Sequence, residues 1–114
     1  MNDCQPKVLI DLPDYSIVQC IHCGRIGFFY RNVLIGFDVL EFFNFSTALL
    51  SADFDRRSLY FPDRKKHLVV NTGHQDIQLT FTRRELSRIN DGLNQARLLI
   101  EADFHTKHSS NFNP

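Results

Sequence analysis

Three cysteines and five histidines are the residues in this 114-residue chain best suited to chemistry. Cys20-Ile21-His22-Cys23-Gly24 sets two thiols three positions apart with a glycine behind them. In a turn between two strands, this spacing lets both thiolates reach one tetrahedral ion, as in half of a zinc ribbon. The glycine eases the close backbone approach. A closed structural site needs four ligands, and a second C-x-x-C is absent. Cys4 is the only other thiol, so Cys4, Cys20 and Cys23 are the candidate metal ligands, with zinc as the candidate ion. A fourth ligand would come from His22, His67, His74, His105, His108 or a carboxylate. Two other uses stay open: reduced thiols partly buried in a tight hairpin, or a thiol–disulfide pair. Redox pairs favour a helix N-terminus, where the dipole lowers the first thiol's pKa. The pattern after Cys23 is that of a strand, which weighs against the redox use.

No other constellation points to catalysis. His74 falls in a turn, and His105 and His108 fall in the polar C-terminal segment. Asp53, Asp55, Asp63 and Asp76 lie in linkers and turns, where Asp commonly serves local backbone hydrogen bonding. There is no phosphate loop and no dinucleotide fingerprint. Three basic clusters, Arg56-Arg57, Arg64-Lys65-Lys66 and Arg83-Arg84 with Arg88, could form an anion patch if they converge, with Phe28, Phe29 or Tyr30 as stacking groups. Lys plus Arg equals Asp plus Glu at 13 each, so the net charge is zero and a nucleic-acid partner is not expected.

The elements that must hold these groups come from a repeated pattern. Val33 to Leu49 and Ile77 to Leu93 match at an offset of 44 residues. Val33, Ile35 and Phe37 alternate, as do Ile77, Leu79 and Phe81, which places each set on one face of a strand. The period then changes: Phe42, Phe45 and Leu49, like Leu86, Ile89 and Leu93, line one side of a helix. At the junctions Asp38 with Glu41, and Thr82 with Glu85, have the types and spacing of capping boxes. Phe37 with Phe42, and Phe81 with Leu86, fit hydrophobic staples.

The expectation is an α+β domain: an antiparallel sheet of four to six strands packed on two helices and built from a duplicated hairpin-plus-helix unit. The domain covers residues 1–104, with pseudo-repeats over about 15–52 and 59–103 and a disordered tail over 105–114. Expected strands are 15–20, 25–30, 33–37, 67–71 and 77–81, with short strands left open at 8–12 and 59–61. Expected helices are 39–52 and 83–103. At offset 44, Cys20 and Cys23 correspond to Arg64 and His67, so the second copy does not repeat the cysteine turn. Gly92 inside the second helix should cost about 1 kcal/mol against Ala. Phe42 and Phe45 share a helix face, and Phe43 therefore points outward or toward a second layer, which makes the first helix the candidate surface for a homodimer or protein partner. No apolar run reaches the ~20 residues needed to cross a bilayer. The first residues do not read as a signal peptide, and the odd cysteine count argues against a disulfide framework. A cytoplasmic location and no membrane partner are expected.

The order of features resembles a family of small uncharacterised bacterial proteins. Its members carry an early cysteine, a C-x-x-C hairpin and two strand-then-helix segments with acidic capping positions. Thr72 to Leu86, T-G-H-Q-D-I-Q-L-T-F-T-R-R-E-L, carries most of this resemblance, which extends over about residues 4–96. The resemblance implies no activity, and it favours treating the three cysteines as a set. The functional expectation is a non-enzymatic domain acting through protein contacts, with zinc as a possible stabiliser. A small nucleic-acid-binding or regulatory zinc-hairpin protein is the alternative.

Overall fold

Both junctions fold as their sequences require. In the first, the Asp38 carboxylate accepts from the Glu41 backbone N–H at 2.7 Å, and the Glu41 carboxylate accepts from the Asp38 N–H at 2.9 Å. In the second, the Thr82 N–H donates to Glu85 at 2.8 Å, and the Glu85 N–H donates to the Thr82 hydroxyl at 3.3 Å. Each reciprocal pair satisfies two backbone donors that the first helical turn leaves open.

The computed structural model describes residues 4–111, without the side chains of 105–111. Its elements are β1 (Pro6–Asp11), β2 (Tyr15–Cys20), β3 (Ile26–Tyr30), β4 (Val33–Phe37), α1 (Val39–Leu50), α2 (Phe54–Arg57), β5 (Leu59–Tyr60), β6 (Lys66–Asn71), β7 (Gln78–Phe81) and α3 (Arg83–Asn111). The fold is α+β, as expected. The strands divide into two antiparallel sheets, β1-β2-β3-β4 and β5-β6-β7, rather than forming one. The charged linker contains a helical turn that the sequence does not announce. Asp53 caps α2, and Phe54 is buried beneath the Arg83 guanidinium, 4.7 Å from the ring centre. The helix α3 continues past Asp103, where the apolar stripe ends. Residues 112–114 of the expected tail, and the side chains from 105 onward, lie outside the described residues.

The first sheet has two distinct faces. Ile17, Phe28 and Ile35 stand opposite one another on β2, β3 and β4, and all are buried. Phe45 of α1 packs on Phe28 at 5.7 Å and on Phe37 at 4.9 Å between ring centres. Ile89, Leu93, Ala96 and Ile100 of α3 complete the same core. Phe43, expected to point outward or toward a second layer, packs half-buried against the core, with the Arg97 guanidinium 4.9 Å over its ring. The residues between the inward ones, Ser16, Val18, Gly27, Phe29, Leu34 and Gly36, therefore occupy the outer face.

Strand pairing also refines the duplication. Ile26 pairs with Phe37, and Leu68 pairs with Phe81. The offset is 44 for β4 and β7 but 42 for β3 and β6. The second hairpin has the longer connection, six residues between paired Asn71 and Gln78 against two between Tyr30 and Val33. His67 thus corresponds to Arg25, not to Cys23.

Candidate metal centre

Cys20 is the last residue of β2, and Cys23 lies in the turn that leads to β3. This turn closes tightly. The Gly24 N–H donates to the Cys20 carbonyl at 3.0 Å, and the Cys20 N–H donates to the Arg25 carbonyl at 2.8 Å. Gly24 adopts φ +77°, a conformation that a side chain would strain. The Gln19 amide donates to the Gly24 carbonyl at 3.1 Å and braces the turn.

Cys4 reaches this turn because β1 lies against β2. Pro6 stands opposite Cys20, and the Ile21 N–H donates to the Gln5 carbonyl at 2.9 Å. The result brings all three expected ligands together: the sulfurs of Cys4, Cys20 and Cys23 lie within 4.8 Å of one another. Cys4 and Cys20 are at disulfide distance, with Cα atoms 5.4 Å apart, and Cys23 is an exposed free thiol. Cys20 is buried.

The donor set fits a soft ion. Thiolates at about 2.3 Å from a tetrahedral zinc lie roughly 3.8 Å from one another, so Cys4 and Cys20, which stand at disulfide distance, would have to move apart for all three sulfurs to hold one ion. Among the described residues no histidine or carboxylate joins the three sulfurs. His22 lines the groove beside them. His67 is committed elsewhere, with Nε2 2.6 Å from the Asp63 carboxylate and its ring 4.7 Å from that of Phe61. His74 lies on a separate cleft with Glu41, Asn44 and Asn71, where Glu41 is engaged in the α1 cap. The side chains of His105 and His108 are outside the described residues.

The groove beside the cysteines is what the sequence reading missed. It has a volume of about 630 Å³ and runs over the outer face of the first sheet, past Val18, Gly27, Phe29, Leu34 and Gly36. Gly27 and Gly36 are directly paired and form its floor. The signal was present as alternation along β2, β3 and β4, but only the strand register shows that the two glycines meet.

Two arginines of the third basic cluster are held by carboxylates. Arg83 pairs with Asp55, and Arg88 is held by both oxygens of Asp14 at 2.9 and 3.2 Å. Its guanidinium keeps the Asp14 carboxyl below the ordinary carboxylate range. Among the described residues no helix is long and apolar enough to cross a membrane. Comparison of the chain with protein-family models, curated proteins and solved structures finds no match.

Proposed function

We propose that this chain is a non-enzymatic domain that acts through protein contacts, and that its N-terminal strand is fastened by a zinc ion bound to Cys4, Cys20 and Cys23. One observation carries the metal assignment: three sulfurs from separate points of the chain converge within 4.8 Å. A disulfide uses two of them and gives the third no role. A metal uses all three and leaves a fourth position for His22 or an external ligand. Binding would tie β1, an edge strand, to the β2–β3 turn, so metal affinity would add directly to folding stability.

The disulfide distance between Cys4 and Cys20 supports a second reading, in which these two are oxidised and Cys23 is a spare thiol. One experiment separates the two. Protein is purified under reducing conditions, and its metal content and reactive thiols are measured before and after a chelator. The metal reading expects about one equivalent of zinc, with the thiols becoming reactive only after chelation. Less than about a tenth of an equivalent, with all three thiols freely reactive, overturns it. In a parallel preparation made without reductant, two thiols that stay hidden after chelation and appear only on adding reductant indicate the disulfide.

A further inference from the structure

We infer that the oxidised sulfur cluster is a thiol–disulfide switch, in which the Cys23 thiolate displaces Cys4 from Cys20 and releases the N-terminal half of β1. This rests on the same three sulfurs as the metal reading but concerns their oxidised, metal-free form. A static disulfide leaves Cys23 idle; an exchanging one gives it work.

Access and proximity set up the exchange. Cys4 and Cys23 are exposed, whereas Cys20 is 4% exposed. A thiol arriving from solvent does not reach the Cys20 sulfur. Cys23 does, because its sulfur already lies within 4.8 Å of both members of the Cys4–Cys20 pair. Rotamer changes of an exposed side chain are fast and cover the remaining distance. Exchange rates depend on access and on which sulfur is attacked. Holding attacker and target in one chain also turns a bimolecular encounter into a unimolecular step.

The turn is shaped to accept the new bond. The Gly24 N–H donates to the Cys20 carbonyl and closes an α-turn. Cys20 and Cys23 thus stand three residues apart on one turn, the placement from which C-x-x-C pairs form disulfides. The bonds from Gly24 to Cys20, from Cys20 to Arg25 and from Gln19 to Gly24 involve no residue of β1. The turn therefore keeps its shape when β1 leaves.

The step conserves atoms and electrons. The Cys23 thiolate attacks the Cys20 sulfur, and a Cys20–Cys23 bond forms. The Cys4–Cys20 bond breaks, and Cys4 leaves with the electron pair as a thiolate. Cys4 then takes up a proton in place of the one Cys23 gave to solvent. One disulfide and one thiol stand on each side, so no oxidant or reductant is consumed.

β1 is the strand that this exchange moves. Of its six residues only Ile10 is buried. The ladder is irregular between Val8 and Ile10, which separates an exposed half, Pro6 to Val8, from the anchored half. Without the bond to Cys4, the exposed half keeps its pairing to β2 but has no buried side chain to hold it. Segments with so little burial open at low cost. Cys4 and Pro6 then withdraw from the groove that they line.

The test uses the full chain, folded, oxidised and treated with a chelator. Free thiols are trapped with a maleimide, and tryptic peptides are weighed. Cleavage after Lys7 and Arg25 puts Cys4 on one peptide and Cys20 with Cys23 on the next. Two forms are expected, one labelled at Cys23 and one at Cys4. Acid halts the exchange, because the thiolate is the attacking species, so the unlabelled forms can be separated there. Returned to about pH 8, each should regenerate the same mixture, at a rate constant over about a tenfold range of protein concentration. In the folded protein, trypsin should cut at Lys7 at least about tenfold faster in the Cys20–Cys23 form. Cys23→Ser should give one form, with no thiol to trap and slow cutting at Lys7. A single form labelled at Cys23 overturns the inference. So do two forms that fail to interconvert, a rate that rises with concentration, or equal cutting at Lys7. Zinc content is measured on reduced protein, so a missing metal leaves the exchange standing, and a missing exchange leaves the metal reading standing.

Discussion

Replacing Gly92 by Ala should destabilise this protein, although helix propensity alone says the reverse. In an unconstrained helix interior the change gains about 1 kcal/mol. Here a Cβ on Gly92 would lie 2.0 Å from the Tyr15 hydroxyl oxygen and 2.8 and 2.9 Å from two ring carbons. Tyr15 cannot retreat easily. It is 2% exposed, packs on Phe28 with ring centres 6.2 Å apart, and donates its hydroxyl to the Arg88 carbonyl at 2.7 Å. That carbonyl lies one helical turn before Gly92, so the tyrosine rests on bare helix backbone. Displacing it forfeits a hydrogen bond worth about 1 kcal/mol. Forcing the ring aside overpacks the core at about 1–3 kcal/mol more. After subtracting the propensity gain, Gly92→Ala should cost about 1–3 kcal/mol, a fall in Tm of at least ~4 °C per kcal/mol. Urea and thermal denaturation would measure it. Tyr15→Phe removes the nearest atom, so the double variant should be less unstable than the two single losses added together, with a coupling of at least about 0.5 kcal/mol. A Gly92→Ala protein as stable as the wild type, or more so, refutes the reasoning.

Two further outcomes follow from the caps. Asp38→Ala should cost about 1 kcal/mol in a denaturant titration, since it removes the side chain that accepts from the Glu41 N–H. Glu85→Gln should flatten the acid limb of the stability profile. Burial opposes ionisation of Glu85, but the Thr82 backbone N–H and the Arg31 guanidinium bond its carboxylate and hold the pKa below the ordinary 4.5. A depressed folded-state pKa stabilises the protein above the unfolded value, and this contribution is lost as pH falls through the folded one. Wild type and Glu85→Gln should therefore differ most at neutral pH and converge as pH falls below 4.5 through the folded-state value; a difference that grows on acidification contradicts this.

What could be read from the sequence was local. A strand that ends in Asp38 or Thr82, with Glu three residues on, carries its own junction chemistry, and both junctions form. The cysteine set was also legible, because a C-x-x-C-G turn and one early cysteine leave few partners. Contacts between elements were not legible. Gly92 looks like a helix defect until Tyr15, more than seventy residues earlier, is placed on it. Helical phase leaves Phe43 either outward or toward a second layer, and only the structure shows Arg97 covering it. The offset of 44 misaligned His67 with Cys23, because the extra residues between Asn71 and Gln78 shift the register, and only strand pairing reveals that.

The two halves of the molecule can be compared with each other. Where they agree, as at Phe37 and Phe81 or Leu49 and Leu93, the residues are buried and serve the shared framework. Where they differ, the framework is not the reason. The cysteine turn and the glycine trough both belong to the first half alone, and they adjoin: Cys4, Cys20 and Cys23 line the same groove as Gly27, Phe29 and Leu34. Cys20 and Val18 lie on one side of β2, with Gly27 next to Val18 on β3. The two departures from the repeat meet on one face, at the edge where β1 pairs with β2.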